Sequence, residues 1–222
     1  MIYNLYSLRM SYHFFINYTY LIIEPNTRNA IVVDPAWEID KITQYLEKKH
    51  ANLRAILLTH SHYDHVNLVS VLNDLMQPDV FMSQKEIDTS DFRCKRLHAV
   101  NDNDRLLLGG LPFYCLLTPG HTMGSMCFKL EKSLFTGDTL FTEGCGVCPR
   151  DGDLPEAMYL SIQRLKTEIK DDVHIYPGHS FGMPPGQTME YLRKNNIYLQ
   201  LNQKHFIEFR MRKNQRNFFE FQ

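Results

Sequence analysis

The sequence predicts an α/β or mixed α+β fold in which β-strands alternate with helices. Two features support this prediction: short apolar runs of strand length end in turn-forming residues, and several segments between them carry apolar residues at helical spacing. A chain of 222 residues can bury a large core without disulfide bonds. We therefore expect a single domain over residues 1–222, with a basic and aromatic C-terminal extension at about residues 201–222.

The individual elements follow from the order of these patterns. Strands are predicted at residues 13–24, 30–35, 54–59, 113–118, 125–130, 133–137 and 172–178. Helices are predicted at residues 40–50, 66–76 and about 154–169. Asp153 and Glu156 fit a capping box at the start of the last helix, where Pro155 occupies the first turn. Gly109 and Gly110, between the runs RLLL and LPFY, indicate a hairpin turn.

Charge and composition exclude several classes of function. The 24 Lys and Arg residues nearly balance the 25 Asp and Glu residues, so we expect no nucleic-acid partner, because phosphate affinity requires surplus positive charge. No apolar run approaches the roughly 18–20 residues that cross a bilayer, and the N-terminus lacks the pattern of a secretory signal. We interpret the five cysteines as reduced thiols of a cytoplasmic protein with no membrane partner. The oligomeric state is left open.

The segment THSHYDH (residues 59–65) contains three histidines and an aspartate at a spacing suited to metal binding. Residues two apart on a helix face away from each other, whereas in an extended segment they point to the same side. His60 and His62 can therefore share one metal ion in a loop after the predicted strand at 54–59. A bend into the next helix can turn Asp64 and His65 towards a second ion.

The same layout recurs at three other places in the chain. An apolar run ends in turn-forming residues and then presents His121, Asp138 or His179. Ligands offered from the ends of several strands converge at one edge of a sheet. The sequence therefore predicts one shared metal site built from these four segments.

These motifs resemble those of the metallo-β-lactamase superfamily, on the residues THSHYDH, TPGHTMGS, FTGDTLF and YPGH. The run GDTLFTEGCG is similar to the glyoxalase II (hydroxyacylglutathione hydrolase) branch. The resemblance implies a four-layer αββα sandwich of two mixed sheets with helices on the outer faces. Position by position, it also implies seven ligands in three groups: His60, His62 and His121 for one ion; Asp64, His65 and His179 for a second; and Asp138 as the bridge.

The implied cofactors are two Zn²⁺ per chain, and iron or manganese stay open, because imidazole and carboxylate ligands suit all three metals. Paired metal ions about 3.5–4 Å apart lower the pKa of a shared water and supply hydroxide at neutral pH. The expected reaction is hydrolysis of an acyl thioester, because a thiolate leaves easily. Asp64 is expected to be catalytic as well as a metal ligand.

The sequence departs from the glutathione-using members after GCG, where those proteins carry a Lys and an aromatic pair. Here Val147, Cys148 and Pro149 stand at those positions, and the family's long helical C-terminal domain is expected to be absent. Cys145 and Cys148 form a lone C-x-x-C pair, which we interpret as part of a turn. In these respects the chain is similar to stand-alone zinc hydrolases of the PksB/BaeB type, found with modular polyketide synthases.

That similarity implies an acyl chain on an acyl carrier protein as the substrate. Because carrier proteins are acidic, the basic tail is a candidate landing surface for them, with a solvated helix face as the alternative. The charges considered for this surface are Lys204, Arg210, Arg212, Lys213 and Arg216.

Four other functions stay open at this point. Within the hydrolases, the alternative is hydroxyacylglutathione hydrolase activity. Outside them are an iron-dependent persulfide dioxygenase with the same ligands, a phosphodiesterase, and a non-catalytic carrier-binding protein.

Overall fold

The computed structural model describes residues 2–148 and 154–212. The strands within these ranges are β1 (Asn4–Tyr12), β2 (Phe15–Ile23), β3 (Asn29–Val33), β4 (Asn52–Leu57), β5 (Asp79–Ser83), β6 (Leu97–Val100), β7 (Arg105–Leu108), β8 (Leu111–Leu117), β9 (Met126–Leu130), β10 (Ser133–Gly137), β11 (His174–Pro177) and β12 (Gln187–Thr188). The helices are α1 (Ile39–Lys48), α2 (Tyr63–Val66), α3 (Val69–Met76), α4 (Gln84–Thr89), α5 (Leu154–Glu168), α6 (Met189–Asn195) and α7 (Gln203–Arg210), with a 3₁₀ turn at Ile197–Leu199.

The strands form two six-stranded mixed sheets, in the orders β1-β2-β3-β4-β5-β6 and β12-β11-β10-β9-β8-β7. In the first sheet β1, β2 and β3 pair antiparallel, whereas β3 to β6 pair parallel. In the second sheet only β10 and β11 pair parallel. Because β8 and β10 flank the antiparallel strand β9, they run in the same direction and end at the same edge.

Helices cover the outer face of each sheet, which confirms the predicted four-layer sandwich. Alternate residues of a strand face opposite sides, and β2 shows this clearly. Leu21 and Ile23 pack towards α1 and α3, whereas Tyr20 and Ile22 pack towards the second sheet. On the other side of the molecule, α5, α6 and α7 cover the second sheet. The core between the sheets is therefore separate from the two helix-covered cores.

All seven predicted strands are present, but the helix predicted at 66–76 begins only at Val69, as α3, and a separate short helix, α2, ends at Val66. The break falls at Asn67, whose side chain accepts a hydrogen bond from Trp37 N at 2.8 Å and donates to Tyr63 O at 2.8 Å. Such side-chain bonds compete with the helical backbone. Strand β1 was missed, although Leu8 and Met10 alternate with exposed residues on it. Elements β5, β6, β12, α4, α6 and α7 were not predicted either.

The predicted turn signals are confirmed where the structure describes them. Leu108 pairs with Leu111 across a two-residue turn, in which Gly109 and Gly110 have φ of +57° and +93°. Positive φ at both positions is the geometry that glycine permits in such hairpins. Helix α5 begins at Leu154 with proline in its first turn. The predicted capping residue Asp153 lies outside the described residues.

Helix α7 packs onto the domain through Phe206, which is fully buried with its ring 5.5 Å from that of Tyr159. Arg210 at its end is also buried and donates from Nη1 to Cys145 O at 3.0 Å. Including Arg210 in an exposed landing surface was therefore wrong. Lys204 and Arg212 are exposed, and residues 213–222, with the other two charges, lie outside the described part. Among the described helices, none is long and apolar enough to cross a membrane.

The thiols are expected to be chemically inert in the folded protein. Four are buried and Cys94 is partly buried, and all five are free. Burial raises the pKa of Cys94 and Cys145 to about 11 and that of Cys148 to about 12, so little reactive thiolate is present at neutral pH. We expect Ellman's reagent at pH 8 to modify fewer than about one thiol per native chain and all five after unfolding. Rapid modification of two or more thiols in the native protein would contradict this.

Candidate metal centre

The candidate ligands lie just beyond the C-terminal ends of strands from both sheets. The loop after β4 carries His60 and His62, and the short helix α2 that follows it carries Asp64 and His65. The loop after β8 carries His121, Asp138 follows β10, and His179 follows β11. Gly178 permits their close approach, because an added Cβ there would lie 2.5 Å from His65 Cε1 and 2.6 Å from Asp138 Oδ1. Any larger residue would push into the space that the ligand side chains surround.

His60, His62 and His121 form the first cluster, with their candidate ligand atoms within 4.8 Å of one another. His62 presents Nδ1, which lies 2.9 Å from His121 Nε2. Two imidazole nitrogens at this distance either share a proton or direct their lone pairs at a common cation. His60 and His121 are buried, whereas His62 is exposed. The cluster therefore opens to solvent on the His62 side.

Asp64, His65 and His179 form the second cluster, and their candidate ligand atoms also lie within 4.8 Å of one another. Asp64 Oδ2 lies 3.3 Å from His179 Nε2 and 3.7 Å from His65 Nε2. Both rings are buried, and the carboxylate is partly exposed. Two imidazoles and a carboxylate make a donor set that suits zinc.

Asp138 lies between the two clusters. Its Oδ1 is 3.5 Å from His65 Nε2, and its Oδ2 is 3.6 Å from His121 Nε2 and 3.5 Å from His179 Nε2. One carboxylate thus faces ligand candidates of both sets. The structure brings all seven predicted residues together, and their role as metal ligands stays a prediction.

Hydrogen bonds outside the site orient three of the rings. Nδ1 of His65 is 3.0 Å from Asp34 Oδ2, Nδ1 of His121 is 2.7 Å from Val147 O, and Nδ1 of His179 is 2.6 Å from Ile16 O. Because each partner is an acceptor, each Nδ1 donates to it, and Nε2 of each ring is directed towards Asp138 and the other candidate ligands. This is the usual outer support of metal-binding histidines.

Unpaired polar atoms inside the site support the fit to cations. Nε2 of His60, Nε2 of His65 and Oδ1 of Asp138 are buried and have no hydrogen-bond partner among the described residues. Buried polar atoms without partners are costly and call for an explanation. Side-chain nitrogens and oxygens that converge on a common space are explained by metal binding there. The seven residues therefore fit the binding of divalent metal ions.

The charges inside the cluster are strongly coupled. Burial opposes the charged form of His65, but the carboxylates of Asp64 and Asp138 outweigh it and raise its pKa to about 10. Burial likewise opposes the charge on Asp64, but His65 and His179 hold its pKa well below its usual range. Burial lowers the pKa of His60 well below its ordinary value, helped by the charge on His65. Since ligands bind metal without their protons, binding of a metal ion by His65 would release its proton.

Two buried residues that the sequence analysis missed support the second cluster. Asp34 accepts hydrogen bonds from Thr59 N at 2.8 Å and from Thr59 Oγ1 at 2.6 Å, in addition to its bond with His65. Asn17 Nδ2 donates to Asp64 O at 2.9 Å and to Asp64 Oδ2 at 3.1 Å. Asp34 directly follows an apolar strand, as the ligand candidates do, so the same pattern could have found it. No comparable signal marks Asn17.

Glu86 of α4 joins the two loops that carry the first cluster. Its Oε1 accepts from Ser61 N at 2.8 Å and Ser61 Oγ at 2.6 Å, between His60 and His62. Its Oε2 accepts from Thr122 Oγ1 at 2.7 Å, directly after His121. The carboxylate is buried, so these bonds are shielded from water. Glu86 therefore fixes the spacing of the three histidines.

We expect Glu86→Ala to weaken zinc binding at the first cluster by about 10- to 100-fold, as is typical for loss of an outer partner of metal ligands. Competition with a chromophoric chelator measures this affinity, and circular dichroism shows whether the variant is folded. Glu190→Ala is the matched control, because Glu190 is exposed and its side chain forms an ion pair with Lys194 on its own helix. Wild-type zinc affinity in folded Glu86→Ala would contradict the role of this carboxylate.

Comparisons with known proteins agree with this geometry. The sequence model of the metallo-beta-lactamase superfamily matches residues 14–89 and 100–179. The chain is 49% identical over 99% of its length to the probable polyketide biosynthesis zinc-dependent hydrolase PksB of Bacillus subtilis, and covers 98% of that protein. It is 50% identical, with the same coverage, to the probable hydrolase BaeB of Bacillus velezensis, which carries the same description. A hydroxyacylglutathione hydrolase of Hydrogenovibrio crunogenus is 35% identical over 74% of this chain and 59% of its own.

Solved structures show the same architecture. A metallo-beta-lactamase from Staphylococcus aureus matches with a TM-score of 0.86 at 22% identity, covering 96% of this chain and 67% of that one. ETHE1 from Myxococcus xanthus matches with a TM-score of 0.84 at 28% identity, covering 98% of this chain and 93% of that one. At 22% identity, the first likeness shows the fold alone.

Proposed function

This chain belongs to the metallo-beta-lactamase superfamily and is a zinc-dependent hydrolase, and from that premise we propose that it hydrolyses acyl thioesters with two zinc ions. The proposed substrate is an acyl chain on an acyl carrier protein in polyketide biosynthesis. The observation that supports the proposal most strongly is the convergence of seven His and Asp side chains. Among the described residues, His60, His65 and Asp138 each have a buried polar atom without a hydrogen-bond partner there. Near-complete coverage of PksB and BaeB at about half identity supports the biosynthetic setting.

We assign the first ion to His60, His62 and His121, the second to Asp64, His65 and His179, and the bridging position to Asp138. When bound, such a pair of ions lowers the pKa of a shared water towards neutrality and polarises the carbonyl of the acyl group. Overall, water adds to the carbonyl carbon, the C–S bond breaks, and a carboxylic acid and a thiol are released. The thiol needs little help to leave, because thiolates are weakly basic.

We assign to Asp64 the catalytic role of accepting a hydrogen bond from the attacking water. The hydrogen bond from Asn17 fixes the orientation of its carboxylate. Because the pKa of Asp64 lies well below its usual range, the group stays ionised at neutral pH and can accept a hydrogen bond from the attacking water. Asn17 is thus a positioning residue for Asp64.

The region beside His121 favours carrier-bound thioesters over glutathione thioesters. Val147 and Cys148 occupy positions where glutathione-using relatives carry a Lys and an aromatic residue. Cys148 is buried and Val147 is apolar, so neither offers a charge to the carboxylates of glutathione. Loss of a charged hydrogen bond of this kind costs about 1–3 kcal/mol of binding.

The test is thiol release from a panel of substrates, with zinc and iron measured on the same sample. The panel contains acyl groups on carrier protein, acyl-N-acetylcysteamine and lactoylglutathione. We expect kcat/KM for the carrier-bound acyl group to exceed that for lactoylglutathione by at least about tenfold, the equivalent of 1.4 kcal/mol. Metallated protein that releases thiol from none of these would refute the proposal.

Hydroxyacylglutathione hydrolase activity is the second candidate, favoured by the relatives of that name at about a third identity. In the same panel it predicts the opposite order, with lactoylglutathione as the best substrate. An iron-dependent dioxygenase would instead show one iron per chain and consume oxygen in the presence of a persulfide.

A further inference from the structure

We propose that an aromatic patch beside the second cluster binds the apolar acyl chain of the substrate. The patch consists of Tyr12, Phe14, Trp37 and Tyr63. Three of its side chains are exposed, with 53% of the surface of Tyr12, 68% of Phe14 and 73% of Tyr63 accessible to solvent. This inference rests on the proposed thioester hydrolysis, and it identifies the part of the substrate that the protein recognises.

The patch is built by ring contacts centred on Trp37. The ring of Tyr12 stacks on that of Trp37 at 4.9 Å between centroids and 10° between planes. Tyr63 meets Trp37 edge-on at 5.8 Å. Phe14 belongs to the two-residue turn next to Tyr12, and its ring lies 4.6 Å from that of Phe15. Large aromatic side chains that cluster on the surface expose apolar area that a ligand can cover.

Hydrogen bonds connect the patch to the candidate catalytic carboxylate. Trp37 donates from Nε1 to Asn17 Oδ1 at 2.7 Å, and Asn17 donates to Asp64 Oδ2. Tyr63 directly precedes Asp64 in the chain. Two rings of the patch are therefore each one residue away from Asp64, Trp37 through a hydrogen-bonded Asn17 and Tyr63 along the chain.

The hairpin of β1 and β2 places the far end of the patch near His179. Ile16 O accepts the hydrogen bond from Nδ1 of His179. Phe14 lies two residues from Ile16, a distance of about 7 Å along the chain at the rise of a strand. Ile16 and Tyr18 tie β2 to the His179 loop, since Tyr18 N also donates to Gly178 O at 2.8 Å. The patch thus adjoins the second cluster, on the side formed by β2.

Trp37 is held in a backbone conformation that bulky residues rarely adopt. Its φ is +63°, in the left-handed region that favours glycine. The hydrogen bond from its backbone N to Asn67 and the one from its ring to Asn17 hold it there. Strained residues of this kind gather at functional sites.

The chemistry of the substrate indicates that the acyl chain is the group that occupies the aromatic patch. A thioester carbonyl at the metal site has two groups attached: an amide-rich pantetheine arm and the acyl chain. Only the acyl chain of a polyketide or fatty acid is largely hydrocarbon, and it gains by covering exposed rings. The patch is connected to Asp64 through Asn17 and through Tyr63, so an acyl chain attached to a carbonyl at the metal site can reach it.

A chain-length series tests the patch with hydrolysable substrates. With acyl-N-acetylcysteamine thioesters from acetyl to octanoyl, we expect KM of the wild type to fall about twofold for each added CH₂. This corresponds to roughly half of the binding free energy that full burial of a CH₂ group contributes. Tyr63→Ala and Phe14→Ala should flatten this dependence. Tyr114→Ala is the control, because Tyr114 is an aromatic residue on β8, outside the patch, with 36% of its surface exposed. This variant should keep the wild-type dependence.

A binding measurement separates failure of the patch from failure of the proposed function. Trp37 is the only tryptophan in the chain, so its fluorescence reports on the patch alone. The octyl thioether of pantetheine, which cannot be hydrolysed, should shift this emission to shorter wavelength with saturation, and the methyl thioether should not. Saturation without any thioester hydrolysis would support the patch and refute the proposed function. Hydrolysis with a KM independent of chain length, or an emission unchanged by the octyl thioether, would overturn the patch.

Discussion

Replacing Asp138 by Ala is expected to lower the rate of thiol release by about a thousandfold or more, because both metal positions lose a ligand. No other candidate ligand has its two oxygens between His65, His121 and His179, at 3.5–3.6 Å from each ring nitrogen. Without this carboxylate, two dications would also face each other with less negative charge between them. We therefore expect fewer than two zinc ions per chain in the purified variant.

The measurement is kcat/KM for thiol release, together with zinc per chain by elemental analysis. Asp88→Ala is the matched control, since Asp88 is exposed on α4 and its carboxylate accepts a hydrogen bond from Gln84 on the same helix. The control should retain wild-type activity and metal. An Asp138→Ala protein with two zinc ions and normal thiol release would show that Asp138 has no part in the centre.

Replacing Asp34 by Ala is expected to destabilise the metal-free protein by about 3 kcal/mol, because it leaves buried partners unpaired. The buried carboxylate accepts hydrogen bonds from Thr59 N, Thr59 Oγ1 and His65 Nδ1. His65 would also lose the acceptor that keeps its proton on Nδ1. We therefore expect zinc affinity at the second cluster to fall by about 10- to 100-fold as well.

Thermal unfolding in the presence of a chelator measures the first effect, and a fall in Tm of about 6–12 °C corresponds to 3 kcal/mol in a chain of this size. Asp74→Ala is the control, because Asp74 is exposed and pairs with Lys95 on the surface. Its Tm should change by less than about 2 °C. If Asp34→Ala unfolds at the wild-type temperature, Asp34 does not stabilise the loop after β4.

Much of the site could be predicted because its residues follow a local rule. Each candidate ligand comes shortly after an apolar strand, and strand ends meet at one edge of the sandwich. Asp34 also follows an apolar strand, but it was missed because Val33 directly precedes it, whereas a glycine directly precedes each of His121, Asp138 and His179. The family resemblance supplied the two-sheet architecture, which strand and helix patterns alone did not specify.

The remaining features depend on contacts between distant parts of the chain. Glu86 lies 25 residues from Ser61 and 36 from Thr122, and nothing in its own segment QKEIDT indicates that it is buried. Arg210 carries the charge pattern of a solvated helix, yet it enters the domain to bond Cys145 O. Patterns of polarity describe one element at a time, whereas these side chains are satisfied by partners on other elements.

Anomalous diffraction at the zinc absorption edge, from crystals of the zinc-loaded protein, tests the central claim most directly. We predict two peaks about 3.5–4 Å apart, one bonded to His60, His62 and His121 and the other to Asp64, His65 and His179, with Asp138 contacting both. A map with no peak among these side chains, or with a single ion shared by all of them, would contradict a two-metal hydrolase.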